Sequence, residues 1–168
     1  LRIGDEDRLV GLPDPIVALA RQNAVDDNAE GWVLTLDMSC YMPAMMHLDD
    51  RRLRRELYEA YSTRASDQGP STGNFDNSEI IRTILRKRKE LALLLGFSNY
   101  AEMSLETKMA ASTDVVFDFL GELAEKARPE AQRELDELNI FADRHLNIAD
   151  IEAWDISYCS EKLRQHKF

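Results

Sequence analysis

Leu53, Leu57 and Tyr61 recur every fourth residue, and this period predicts a helix that opens at Asp49-Asp50 and runs to about Ala65. Acidic residues at its start suit the positive end of the helix dipole. The same spacing returns in Ile80, Ile81, Ile84, Leu85, Leu91, Leu94 and Leu95, which predicts a second helix capped by Asn77 or Ser78 and stopped at Gly96. Ser98 can cap a short helix through Met103. Ser112 or Thr113 opens the longest helical run, with Val116, Phe119, Leu120 and Leu123 on one side. Pro129 is expected to kink or split it, and Leu135, Leu138, Ile140 and Phe141 continue the apolar pattern. A last helix is expected from Asp155 onward. Near the start, Pro13 and Pro15 sit where a first turn tolerates proline, ahead of Ile16, Val17, Leu19 and Ala20. Trp32 to Leu36 is the one strand candidate, short, aromatic and β-branched, between Gly31 and Asp37. Asp67 to Asn77 is rich in Gly, Pro, Ser, Asn and Asp and reads as the clearest exposed loop. The fold class is therefore mainly α, a multi-helix chain with one short strand near residues 32–36.

Composition narrows the partners. The 168 residues carry 31 acidic and 21 basic side chains, a net charge of −10. A field of that sign repels nucleic acid and anionic membrane. No apolar run approaches the roughly 20 residues of a membrane span. Two cysteines, Cys40 and Cys159, make no disulfide scaffold and fit a reducing compartment. The sequence starts at Leu1 rather than Met and shows no signal peptide, so a piece of a longer chain is expected.

Candidate chemistry is sparse. The histidines are His47, His145 and His166, and no two stand four residues apart, so no single helix presents a paired-imidazole zinc face. Cys40 to His47 and Cys159 to His166 each span seven residues, about 10 Å of helical rise, too far to share one ion. Ser39-Cys40 follows the strand without a G-x-S-x-G elbow, so Cys40 reads as a small buried hydrophobe rather than a nucleophile. Gly69 to Asn74 lacks the lysine of a phosphate loop. Two basic clusters, Arg51-Arg52 with Arg54-Arg55 and Arg86 to Lys89, read as solvated faces paired with Asp49, Asp50, Glu56 and Glu90; capture of a substrate carboxylate is the alternative. Met38, Met42, Met45 and Met46 read as core filling, with an adaptable binding surface as the alternative. These readings assign no catalytic, cofactor-binding or metal residue within the chain.

Words in the sequence go further. Leu34-Thr35-Leu36-Asp37 and Tyr41-Met42-Pro43 are followed in order by Leu53 to Tyr58, Ala60 to Ser66, Asp76-Asn77-Ser78 and Leu93 to Glu102. Ser104-Leu105, Lys108-Met109-Ala110, Ala127-Arg128-Pro129, Trp154 to Tyr158 and Ser160-Glu161-Lys162 complete the set. Together they resemble the thimet-oligopeptidase family of zinc metallopeptidases over nearly the whole chain. Three departures stand out: Cys159 replaces a second tyrosine beside Tyr158, Met38-Ser39-Cys40 replaces an apolar-Pro-Ser stretch, and His47 to Asp50 differs from the usual turn. The resemblance implies a parent with a zincin-type fold and a deep channel between two mainly helical halves. Such a channel admits short peptides and excludes folded proteins. In that family zinc polarises the scissile carbonyl and activates water, and the glutamate of an H-E-x-x-H helix moves the proton. No H-E-x-x-H occurs here. Residues 1–168 are therefore expected to form a single helical fragment in one wall of the channel. Short peptides are the expected substrates of the parent, zinc its expected cofactor, and neither zinc nor turnover is expected of this fragment alone. Self-association of the fragment is also expected. The alternative is a stand-alone helical interaction module derived from the peptidase.

Overall fold

The computed structural model describes residues 1–168. Its helices are α1 (Asp14–Asp26), α2 (Met38–His47), α3 (Arg51–Ser62), α4 (Ser78–Leu94), α5 (Tyr100–Leu105), α6 (Thr113–Leu146) and α7 (Ile156–Lys167). The mainly α class is what the periodicity predicts. Two short strands, β1 (Arg2–Ile3) and β2 (Trp32–Val33), pair antiparallel with Arg2 opposite Val33 and Ile3 opposite Trp32. The predicted strand is thus present but only two residues long, and its partner at the N-terminus carries no sequence signal. Gly31 sits at φ +78°, and a Cβ there would collide with the Ile3 carbonyl, so the turn into β2 requires glycine.

The chain divides into two compact units. The first comprises residues 1–64, 68–72 and 136–168. Its larger core joins Ile3, Leu9, Leu12, Ala20, Leu34, Cys40, Tyr41, Ala44, Met45, Leu48, Leu53 and Leu57. Leu34, Leu48, Leu53 and Leu57 are wholly buried, each contributing on the order of 1.5–3 kcal/mol relative to exposure. A smaller core joins Leu138, Ala142, Ile148, Tyr158 and Cys159.

Helix α3 follows its sequence closely. Asp50 is the N-cap, and its carboxylate accepts from the Leu53 N–H at 2.9 Å. Leu53 and Leu57 go to the core, and Tyr61 stacks on Tyr41 with ring centres 4.0 Å apart. Helix α2 has no counterpart in the sequence reading. Pro43 stands inside it, and its N-cap Asp37 makes no side-chain cap bond, so both ordinary helix signals are missing. Burial of Cys40, Tyr41, Ala44 and Met45 on one face holds it instead. The methionines split: Met45 is core, while Met38 and Met42 are exposed.

The second unit comprises residues 65–67 and 73–135. Asn77 is the N-cap of α4 and Gly96 takes φ +84° just past its end, as the spacing predicts. Asn99 rather than Ser98 caps α5, its carbonyl accepting from the Glu102 N–H at 3.0 Å. Helix α6 is a correction. It runs unbroken from Thr113 to Leu146 with Pro129 inside it. Every residue from Phe117 to Glu137 is exposed, so the carbonyl left without Pro129's N–H faces water and the interruption stays local.

Within the stretch from Asp67 to Asn77 the side chains are exposed, and Gly69 and Gly73 both take positive φ. Limited proteolysis of the chain is expected to cut here before anywhere in α4, because the loop lacks the continuous backbone hydrogen bonds of the helix. Early cuts between Ile80 and Leu95 would contradict this.

Candidate functional site

The basic cluster of α3 is where charge concentrates, and the structure divides its four arginines by role. Arg51 and Arg54 are three residues apart on one face, and both reach Asp155 at the start of α7. Arg54 Nη2 donates to Asp155 at 2.8 Å, and its Nη1 donates to the Leu48 carbonyl at 2.7 Å. Arg51 donates from Nε at 3.0 Å and from Nη2 at 2.7 Å to the same carboxylate. The Glu152 N–H adds a bond at 3.1 Å. Asp155 is 0% exposed and Arg54 1%. The expectation of a solvated arginine face therefore fails for Arg54, whose guanidinium is core. The partner lies 101 residues away, beyond the reach of any local spacing rule. Burial alone would push the Asp155 carboxyl up; the bonds from Arg51 and Arg54 overcome this and hold it below its ordinary value.

Tyr158 closes the other side. Its ring lies 3.9 Å from the Arg54 guanidinium carbon, and its hydroxyl donates to Asp49 at 2.8 Å. Lys162 approaches the same Asp49 oxygen at 3.4 Å. Burial, then the bond to Asp49, pushes the Tyr158 hydroxyl up to about 12. Asp49 and Asp50 thus serve more than the helix dipole: one holds α7, and the other caps α3 and binds Arg8 at 2.7 Å.

Beside this network lies an open hollow of about 390 Å³ lined by Arg51, Arg52, Arg55, Glu152 and Trp154. The Arg55 guanidinium stands 5.0 Å over Trp154, and Tyr58 meets the same indole edge-on at 6.2 Å. Arg55 is also bound to Glu59 at 2.8 Å, whereas Arg52 meets Glu56 only at 3.5 Å and is otherwise in solvent. The hollow offers one weakly engaged guanidinium beside an aromatic plane, a combination that takes a carboxylate or a planar peptide group. Nothing in it is a nucleophile.

A second hollow of about 300 Å³ is lined by Met42, Met46, Ile156, Ser157, Ser160, Glu161 and Arg164. Arg164 and Gln165 hold the Glu161 carboxyl down to about 2 by hydrogen bonding. In the other unit, residues Phe97 to Asp114 border a hollow of about 510 Å³ at the α5–α6 connection. Cys40 and Cys159 are both buried thiols, and burial pushes Cys159 up, away from the thiolate form that reacts. The Arg86 to Lys89 cluster lies exposed on α4, where Arg86 and Lys87 pair with Glu90.

Comparison with known proteins fixes the family. The model for peptidase family M3 matches residues 44–168, and the chain belongs to that family. It is 48% identical over 166 residues to oligopeptidase A of Salmonella typhimurium, covering 99% of this chain and 24% of that protein. It is 37% identical over 176 residues to the probable cytosolic oligopeptidase A of Arabidopsis thaliana, covering 99% of this chain and 24% of the relative. With dipeptidyl carboxypeptidase of Escherichia coli the identity is 28% over 169 residues, 24% of that protein. The chain thus spans about a quarter of the length of these relatives. No three of its His, Cys, Asp and Glu side chains gather into a group that could hold a metal ion.

Proposed function

We propose that this chain is part of a zinc-dependent oligopeptidase that hydrolyses short peptides in the cytoplasm, and that its own role is to build channel wall and touch peptide. The observation that carries the reading is the 48% identity to an oligopeptidase A along 99% of the chain. The name of the cytosolic relative from Arabidopsis supports the compartment, and the absence of any helix long and apolar enough to cross a membrane is consistent with it. Within the chain, Arg52 and Trp154 are the side chains best suited to peptide contact, because they flank the open hollow and are not consumed by the buried network.

Three measurements test this. Metal analysis of the purified 168-residue chain, with a quenched-peptide assay, is expected to give neither stoichiometric zinc nor turnover; chelator-sensitive cleavage would overturn the assignment of chemistry to other parts of the parent. The coding sequence beyond Phe168 is expected to contain an in-frame H-E-x-x-H, whereas a stop codon there would favour the stand-alone interaction module. In the whole peptidase, Trp154→Ala is expected to raise KM several-fold for short peptides while leaving kcat within about twofold, the signature of lost uniform binding. An unchanged KM would remove the hollow from the peptide path.

A further inference from the structure

No two histidines share a helix turn in this sequence, yet the fold pairs two of them across helices. His145 lies in the last turn of α6 and His166 in the last turn of α7. Their ring centres are 4.8 Å apart with planes tilted by 42°. Phe141, one turn before His145, backs both rings, with centres 5.0 Å from His145 and 5.4 Å from His166. Lys167 and Glu137 form an ion pair at 2.7 Å that ties the same two helices. Glu137, Phe141 and His145 are spaced four residues apart, so one stripe of α6 meets the end of α7. Both imidazoles are exposed.

We propose that His145 and His166 form a two-imidazole site for a transition-metal dication. Geometry carries the proposal. A cation about 2.0–2.1 Å from one nitrogen of each ring, with an angle between square and tetrahedral, sets the ring centres roughly 4.5–5.2 Å apart. The observed separation lies inside that range. Electrostatics agree, since both residues sit at helix C-termini, where the backbone carbonyls favour positive charge. The ammonium next to His166 in sequence, Lys167, is already paired with Glu137. Imidazole selects zinc, nickel and copper over calcium or magnesium, and water fills the remaining positions. The bound ion cross-links α6 to α7.

The test uses the tag-free chain at pH 8, with Cu²⁺, Ni²⁺ or Zn²⁺ alone as the probe. One equivalent is expected to bind by calorimetry, copper most tightly. At ten times the dissociation constant the folded-to-unfolded ratio is expected to rise about tenfold. His145→Ala and His166→Ala are each expected to abolish the effect, and the double variant to lose no more than either single one, because chelation needs both rings. His47→Ala is expected to retain it. These side chains are exposed, so the variants should keep the wild-type circular dichroism spectrum. If the spectrum changes, His145→Gln and His166→Gln serve in their place. An absent shift, a shift that survives either substitution, or two half-losses that add would overturn the proposal.

Discussion

Replacing Asp155 by Asn is expected to destabilise the chain by about 3–5 kcal/mol, the range for breaking a buried ion pair by removing one partner. The cost falls on what remains. Arg54 is 1% exposed and keeps its charge, while the carboxylate that balances it is gone. Its ring contact with Tyr158 and its bonds to the Leu48 and Asp49 carbonyls survive, but neutral acceptors do not replace an anion. Urea unfolding measures the loss. Arg51→Ala is the comparison: its side chain is 46% exposed, so its removal is expected to cost nearer 1 kcal/mol. Equal effects from the two substitutions would show that the network is not organised around the buried pair. The same carboxylate sets an acid limit. Its folded pKa lies below the unfolded value, so its contribution is complete above about pH 4 and is lost as pH falls through the folded value. Asp155→Asn should flatten that acid limb.

At high protein concentration the isolated chain is expected to self-associate and to bind an apolar dye. In residues 73–135 the only buried side chain is Ala92. Ile80, Ile81, Ile84 and Leu85 on α4, and Phe117, Phe119, Leu120 and Leu123 on α6, are all exposed. Apolar expanses beyond a few hundred Å² rarely stay bare. Tyr158 and Cys159 of α7 are buried and so is Met45 of α2, so the larger expanse lies on α4 and α6. The net charge of −10 opposes association, and screening confines that repulsion to about 8–10 Å at ordinary salt. Sedimentation across a concentration series is the check. Replacing Phe117 and Leu120 by Lys should shift the chain back to monomer. A wild-type chain that stays monomeric to millimolar concentration, without dye binding, would favour the self-contained module.

What was legible in the sequence follows from how local each signal is. The period of Leu53, Leu57 and Tyr61 with Asp50 ahead of it places the start of α3 within a residue or two, because cap and stripe are written in adjacent turns, whereas the helix ends at Ser62, short of the expected Ala65. The end of α4 at Gly96 is equally local. Helix α2 was not legible, because Pro43 and an inactive cap mask a helix held by its buried face. Pro129 misled for the opposite reason: its penalty is real but small where the neighbouring carbonyl reaches water. The Arg54–Asp155 pair and the His145–His166 pair could not be read at all. Their members lie on separate helices, and only folding makes them neighbours.

The carboxylate of Asp155 makes no bond to the first turn of its own helix; beside the neighbouring Glu152 N–H, its partners are Arg51 and Arg54, about a hundred residues earlier in the chain. This sets an order of events during synthesis. The first 64 residues can collapse early, but Arg54 has no counter-charge until residue 155 has emerged, with residues 73–135 of the second unit translated in between. Closing so long a loop adds only a logarithmic entropy penalty, so the delay is one of waiting rather than of energy. Until then the early segment carries a guanidinium that must stay hydrated, and the core around Leu53 and Leu57 remains open on that side. Nascent chains arrested before residue 155 should therefore be the most chaperone-dependent and the most readily digested, and release past that point should convert them to the resistant form.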